Sequence, residues 1–306
     1  MEMLLGNKIR FPKLGIDFGN VPIGFEIFGV EIALYGITIG IGMILGLIIA
    51  EIMAKKTGQD TELYLDFSLV AIIFSVICAR IYYVIFAFDE FKDNPLQIFN
   101  LRSGGLAIYG GIIGAVVIAI IFTKIKKYSF WLFADTACIG LITGQIIGRW
   151  GNFFNRESFG TYSNGPLAMQ LDLRDVSYNF RMSIPRLQEK YAGKTAAYER
   201  IMEIRNNILT IDGVEYIQVH PTFLYESLWN LALLIFLIIY TKRKKFDGEI
   251  ILIFLAGYGL GRFWIESLRT DQLFLWGTPL AVSQVLSSLI LIISIGILIY
   301  KRKSIK

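Results

Sequence analysis

The chain has 306 residues, 55% of them apolar and 14% aromatic, with 30 basic and 25 acidic side chains and a formal charge of +5. So high an apolar share excludes an ordinary soluble domain and points to a chain that lives in a bilayer. The excess of positive charge is modest, and nucleic acid is not among the expected partners.

Residues 1–30 contain no apolar stretch with a small-residue cleavage site, so no removable signal peptide is expected and the first span is retained. Residues 32–50 run for 19 positions without a charge, 104–123 for 20 and 272–300 for 29. Each is long enough to cross a hydrocarbon core of about 30 Å. Four other apolar stretches carry isolated polar groups: 64–88 with Arg80, 130–154 with Asp135 and Arg149, 223–240 with Glu226, and 250–268 with Arg262 and Glu266. The expectation is an all-α polytopic membrane protein of about seven transmembrane helices, with residues 1–306 forming one integral membrane domain. Residues 155–219 are polar and rich in both signs of charge, and are expected to form an external head or lid inserted in that domain. Cys78 and Cys138 both fall inside apolar spans and no Cys/His cluster is present, so neither a disulfide nor a metal site is expected.

Short loops rich in Lys and Arg stay cytoplasmic, which sets the orientation. Connections after spans one, three, five and seven hold thirteen basic residues, from Lys55 to Lys306. The opposite short loops hold Lys92, Arg102 and Arg269, with Lys8, Arg10 and Lys13 in the tail. The N-terminus is therefore expected outside and the C-terminus in the cytoplasm. On that topology Tyr35, Arg80, Tyr109, Arg149, Asn152, His220, Glu226, Arg262 and Glu266 all fall in the outer half of their spans. Ionisable groups there cost several kcal/mol unless paired or facing water, so they read as a polar cavity opening toward the outer leaflet.

Simpler readings account for several of these positions. Arg80 alone can snorkel to the interface, and Asp135 suits a helix start or the interface. Tyr82, Tyr83, Trp131 and Trp276 suit interfacial belts. Gly36, Gly40, Gly42 and Gly46, with Gly140, Gly144 and Gly148, recur at or near four-residue spacing, which lets helices pack closely. Packing does not account for Arg149, Asn152, Asn155 and Glu157 together with Arg262 and Glu266. Arginine keeps its charge when desolvated, and its planar fork matches phosphate oxygens, so two of them at headgroup depth suit a phospholipid phosphate. Asn152 and Asn155 suit glycerol hydroxyls or ester carbonyls. Glu157 and Glu266 suit orienting the arginines, Glu266 lying one helical turn after Arg262.

The stretch GRWGNFFNRESFG at 148–160 resembles the signature of the prolipoprotein diacylglyceryl transferase family, with Gly148, Arg149, Asn152, Phe153, Phe154, Asn155, Glu157 and Gly160 at its defining positions. ALYGITIG at 33–40, SGGLAIYGG at 103–111, HPTFLYE at 220–226 and GYGLGRFWIESLRTD at 257–271 resemble the family's other motifs. The resemblance implies transfer of the diacylglyceryl group of phosphatidylglycerol to the lipobox cysteine in the signal peptide of a prolipoprotein. The products are a thioether and glycerol 1-phosphate, and no cofactor is required. Membrane lipids complete the expected partners, and the bacterial plasma membrane is the implied location. The candidate catalytic residues are then Arg149, Arg262, Tyr109 and Glu266, and the candidate substrate-binding residues Tyr35, Arg80, Asn152, Asn155, Glu157, Gly160 and His220.

Some family members carry His just before the second Gly-Gly of the third-span motif, where this chain has Tyr109 ahead of Gly110 and Gly111. A thiol of pKa about 8.5 is about 3% ionised at pH 7, so a proton acceptor or a positive field must assist it. His220, the only histidine, reads equally as a chemical group or as a cap at a helix entrance. A transporter and a lipid-binding scaffold are the alternatives from other classes.

Overall fold

A computed structural model describes residues 2–92, 94–101, 104–275, 278 and 280–305; Arg102, Ser103, Trp276 and Lys306, named above, lie outside them. Among the described residues, seven helices are long and apolar enough to cross a bilayer. They are α1 (Leu34–Lys56), α2 (Glu62–Phe86), α3 (Ile108–Ile125), α4 (Phe130–Asn155), α7 (Thr222–Tyr240), α8 (Glu249–Leu268) and α9 (Val282–Ser304). Two short helices, α5 (Ile184–Lys190) and α6 (Thr195–Asn206), lie between α4 and α7. The spans bear the stamp of hydrocarbon: Ile44 and Ile48 on α1, Ile113 on α3 and Ile292 on α9 are all exposed. A helix satisfies its own backbone, so such faces are stable against lipid. The third span begins at Ile108, after Gly104 and Gly105, which take φ of +84° and +77° and break the helix.

The all-α expectation does not hold. Among the described residues there is also a six-stranded antiparallel sheet in the order β3-β2-β1-β4-β6-β5. The N-terminal tail supplies β1 (Glu2–Phe11), β2 (Ile16–Ile27) and β3 (Val30–Ala33), the last running straight into α1. The segment between α4 and α7 supplies β4 (Met169–Asp172), β5 (Leu209–Ile211) and β6 (Val214–Val219). The halves join where Ile9 and Arg10 of β1 pair with Leu171 and Gln170 of β4. One face of this sheet is apolar: Ile9, Phe11, Leu171, Ile217 and Val219 are buried with Leu187 and Ile204 of α5 and α6. Phe153 at the end of α4 and Phe223 at the start of α7 belong to the same cluster, so the core continues into the helices that carry the polar signature.

By its internal contacts the chain divides into two compact units, Met1–Gly46 with Leu141–Lys245 and Leu252–Lys306, and Leu47–Gly140 with Phe246–Ile251. In the first, Gly42 of α1 lies against Gly144 of α4, where an added Cβ would come within 3.0 Å of the Gly144 carbonyl. In the second, Gly110 and Gly114 of α3 sit against Cys78 and Ala79 of α2 with no room for a side chain. Asp135 there is buried, and its carboxylate accepts from the backbone N–H groups of Gly248 and Ile251 at 2.8 and 2.9 Å. It thus caps the start of α8 rather than that of its own helix.

Arg156 fastens the N-terminal strands to the exit of α4. It adopts φ +49°, uncommon for a residue with a side chain, and its buried guanidinium donates to the carbonyls of Asn7, Val21 and Phe154. Its Nε lies 3.1 Å from Asp175, which also accepts the backbone and side-chain N–H groups of Asn7, both at 2.7 Å. Arg156→Ala takes the cation from a half-buried carboxylate and the donors from three carbonyls, and is expected to destabilise the sheet by about 3 kcal/mol. Thermal unfolding of the purified protein checks this, and Arg156→Lys is expected to restore little of the loss.

Candidate active site

α4, α7 and α8 each place a charged side chain at one point. Glu226 on α7 is the hub. One of its carboxylate oxygens is paired with Nε of Arg149 on α4, and the other accepts from Nη1 of Arg262 on α8 at 2.5 Å. Arg262 turns its second amino group to Glu266, one helical turn later, also at 2.5 Å. Arg269, just beyond α8, stands 3.7 Å from Glu226 and 3.9 Å from Glu266. Asp271 pins it through Nε and Nη2 at 2.9 and 2.6 Å. Burial works against the charge of Arg269, but Asp271, Glu226 and Glu266 outweigh it and raise its pKa. Burial works against the Asp271 carboxylate too, yet Arg269 holds that carboxyl below its ordinary range. The side chains of Glu226 and Glu266 are only 6% and 4% exposed, so these charges are stabilised by one another and not by water.

The α4 exit extends the network. Arg149 donates weakly to the side-chain Oδ1 of Asn152 at 3.5 Å, and the side-chain Nδ2 of Asn152 donates to Glu157 at 3.0 Å. Asn152 thereby links the arginine to the carboxylate. Ser158 takes φ +56°; its carbonyl accepts from Thr222 and its hydroxyl meets Arg269 and Asp271. Gly160 has no space for a side chain, because a Cβ would meet the His220 Cβ at 2.7 Å and the Leu268 carbonyl at 3.0 Å. Its N–H donates to the His220 carbonyl at 2.9 Å, and the next N–H, that of Thr161, donates to Leu268 at 2.7 Å. The signature's last glycine thus clamps together the segments entering α7 and leaving α8.

A family model for prolipoprotein diacylglyceryl transferase matches residues 22–300. The chain belongs to that family. The phosphatidylglycerol–prolipoprotein diacylglyceryl transferase of Bacillus cytotoxicus is 39% identical over 302 residues, 99% of this chain and 96% of the relative. Those of Bacillus mycoides and Bacillus cereus are each 38% identical over 301 residues, 98% of this chain and 96% of the relative.

Within this diacylglyceryl transferase the structure brings Arg149, Asn152, Glu157, Arg262 and Glu266 into one continuous polar network. Tyr35 reaches it by packing, its ring resting on Gly151 where any side chain would collide. Asn155 closes α4. Arg80 is differently employed. Its five N–H groups are directed at the carbonyls of Gln97, Ile98, Asn100, Gly104 and Gly105, at 2.6 to 3.2 Å. It straps the connector leading to α3, and in this state holds no donor free for a lipid phosphate. Tyr109, the second residue of α3, is partly exposed in the same compact unit as Arg80. Glu226 was read into the polar cavity without a role of its own, and Arg269 was counted only as a loop charge. Glu226 is the sole acid in its span, which was a usable signal, but its partners come from other helices and spacing gives no access to them.

His220 does not cap α7 with its side chain; Nδ1 lies 3.1 Å from the Tyr225 hydroxyl. Burial lowers its pKa. The unfolded chain binds a proton at His220 near pH 6.5, the folded chain only at lower pH, so acidification through that window favours unfolding. The melting temperature is expected to fall between pH 7 and pH 5.5, and less so in His220→Gln, as thermal scans at the two pH values will show.

Proposed function

We propose that the protein transfers the sn-1,2-diacylglyceryl group of phosphatidylglycerol to the lipobox cysteine thiol of a prolipoprotein, forming a thioether and releasing glycerol 1-phosphate. The observation that carries the reading is the convergence of Arg149 and Arg262, from separate membrane helices, on one anion-sized point. In the reaction the substrate thiol passes its proton to water, its sulfur attacks the glyceryl carbon bearing the phosphate, and the C–O bond breaks with its electrons passing to the phosphate oxygen. Negative charge grows on the departing phosphate, so prearranged guanidinium groups stabilise the transition state more than the ground state. Glu266 orients Arg262, while Asn152 and Glu157 orient Arg149. Tyr35 and Asn155 line the approach of the lipid, and Gly160 and His220 hold its frame.

The thirteen basic residues of the alternate loops support an N-terminus outside and a cytoplasmic C-terminus in the bacterial plasma membrane. Residues 155–219 then form an external head inserted in one integral membrane domain, and the site faces the outer leaflet. Phosphatidylglycerol enters from surrounding lipid, and the lipobox cysteine arrives at the same level. The positive field of Arg149 and Arg262 favours the thiolate of the incoming cysteine, leaving Tyr109 to position substrate by a hydrogen bond rather than to take the proton.

The decisive assay incubates purified protein with phosphatidylglycerol vesicles and a lipobox peptide and detects the thioether-lipidated peptide by mass. Arg149→Ala and Arg262→Ala are expected to abolish transfer while still inserting, and Arg262→Lys to be severely impaired, since an ammonium cannot reproduce the planar fork. Near-normal turnover in a folded Arg149→Ala protein refutes the phosphate clamp. Tyr109→Phe is expected to lose about 1 kcal/mol, or about fivefold in rate, with an unchanged pH midpoint. A thousandfold loss in protein that still binds lipid would instead make Tyr109 the base.

A further inference from the structure

We propose that Glu226 is a resident stand-in for the substrate phosphate: it occupies the point between Arg149 and Arg262 in the resting enzyme, is displaced when lipid binds, and returns to evict the product. The inference rests on the phosphate-clamp reading above.

Its geometry is that of a bridging ligand. The two oxygens sit on one carbon and each takes a different guanidinium, as two oxygens on one phosphorus would. The charge balance then requires displacement. Arg149, Arg262 and Arg269 face Glu226, Glu266 and Asp271, and Glu157, joined through Asn152, and Arg200, which interacts with Glu266, add one of each sign, so the cluster is neutral before any substrate enters. An anion added to a neutral, mostly buried cluster loses its hydration without gaining net attraction, unless one carboxylate gives up its place.

Only one of the carboxylates paired directly with these arginines is suited to move. Asp271 is held by two nitrogens of Arg269 and by the Ser158 hydroxyl. Glu266 shares a helix with Arg262 and lies one turn from it, so it follows that arginine wherever it goes. Glu226 reaches both proposed phosphate-binding arginines from a third helix, and rotation of its side chain frees both at once. After C–O cleavage, glycerol 1-phosphate faces the same competitor, and its departure leaves the arginines paired rather than bare. Glu226 is thus a positioning residue that sets substrate affinity and product release.

The test titrates glycerol 1-phosphate into the full chain in nanodiscs by calorimetry, and measures KM and kcat for phosphatidylglycerol with the lipobox peptide. Glu226→Gln keeps the shape and removes the competing charge. It is expected to bind glycerol 1-phosphate about tenfold more tightly, with KM lowered and kcat lowered together. Glu226→Asp, too short to bridge both arginines, is expected to fall between it and wild type. A purely structural glutamate predicts the opposite, weaker binding and a raised KM, and binding no tighter than wild type in either variant overturns the proposal. Infrared difference spectra of the wild type need no variant: glycerol 1-phosphate is expected to shift the carboxylate bands, and unchanged bands also refute displacement. Arg149→Ala and Arg262→Ala separate the two levels. If they retain glycerol 1-phosphate binding the clamp itself fails; if they lose it while the Glu226 variants do not tighten, displacement alone fails.

Discussion

A guanidinium group among apolar spans has to be neutralised on the spot, and the architecture around the site is arranged by that need. Arg149 and Arg262 do not reach water freely, and each is answered by a carboxylate from another helix or another turn. The pairing ties α4, α7 and α8 at one level. Close packing at Gly42 and Gly144 brings α1 against α4 from the side, and Tyr35 follows onto Gly151. Removing one partner of such a lattice leaves an uncompensated buried charge, which makes the lattice brittle as well as specific.

The same network extends past the membrane helices into the sheet. Asn152 connects Arg149 to Glu157, the left-handed residues Arg156 and Ser158 turn the chain out of α4, and Gly160 binds the outgoing strand to the ends of α7 and α8. Backbone strain is concentrated where the signature leaves the helix, and Arg156, Asp175 and Thr222 hold it there. The local sequence has no β-branched or apolar run that would impose this path; long-range partners determine it.

The seven spans were legible because uninterrupted apolar length is a one-dimensional property, and so were Arg149, Arg262 and Glu266, since a charge inside such a run stands out. Partnership was not. Arg80 read by depth as an interfacial snorkel and by resemblance as a lipid ligand, and the carbonyls that hold it come from a connector some twenty residues away in sequence. Asp135 was read as a helix-start or interface residue, and the helix start it caps is that of α8, not of its own helix. The sheet was missed because its strands are short or irregular. β4 has four residues and β5 three, while β1 and β2 carry register shifts that blur alternation, and the two halves are separated by four membrane helices.

That separation has a consequence for biogenesis. β1 emerges from the ribosome first, but its partner β4 follows only after α1, α2, α3 and α4 have been made. Four crossings are an even number, so the two halves of the sheet meet on one face of the bilayer when all four intervening helices have been threaded. A single helix skipped leaves β1 and β4 on opposite sides, with Arg156 cut off from Asn7 and Val21. Closure of the sheet is in effect a parity check on insertion, and a chain that misses one crossing cannot assemble the scaffold that supports its signature segment.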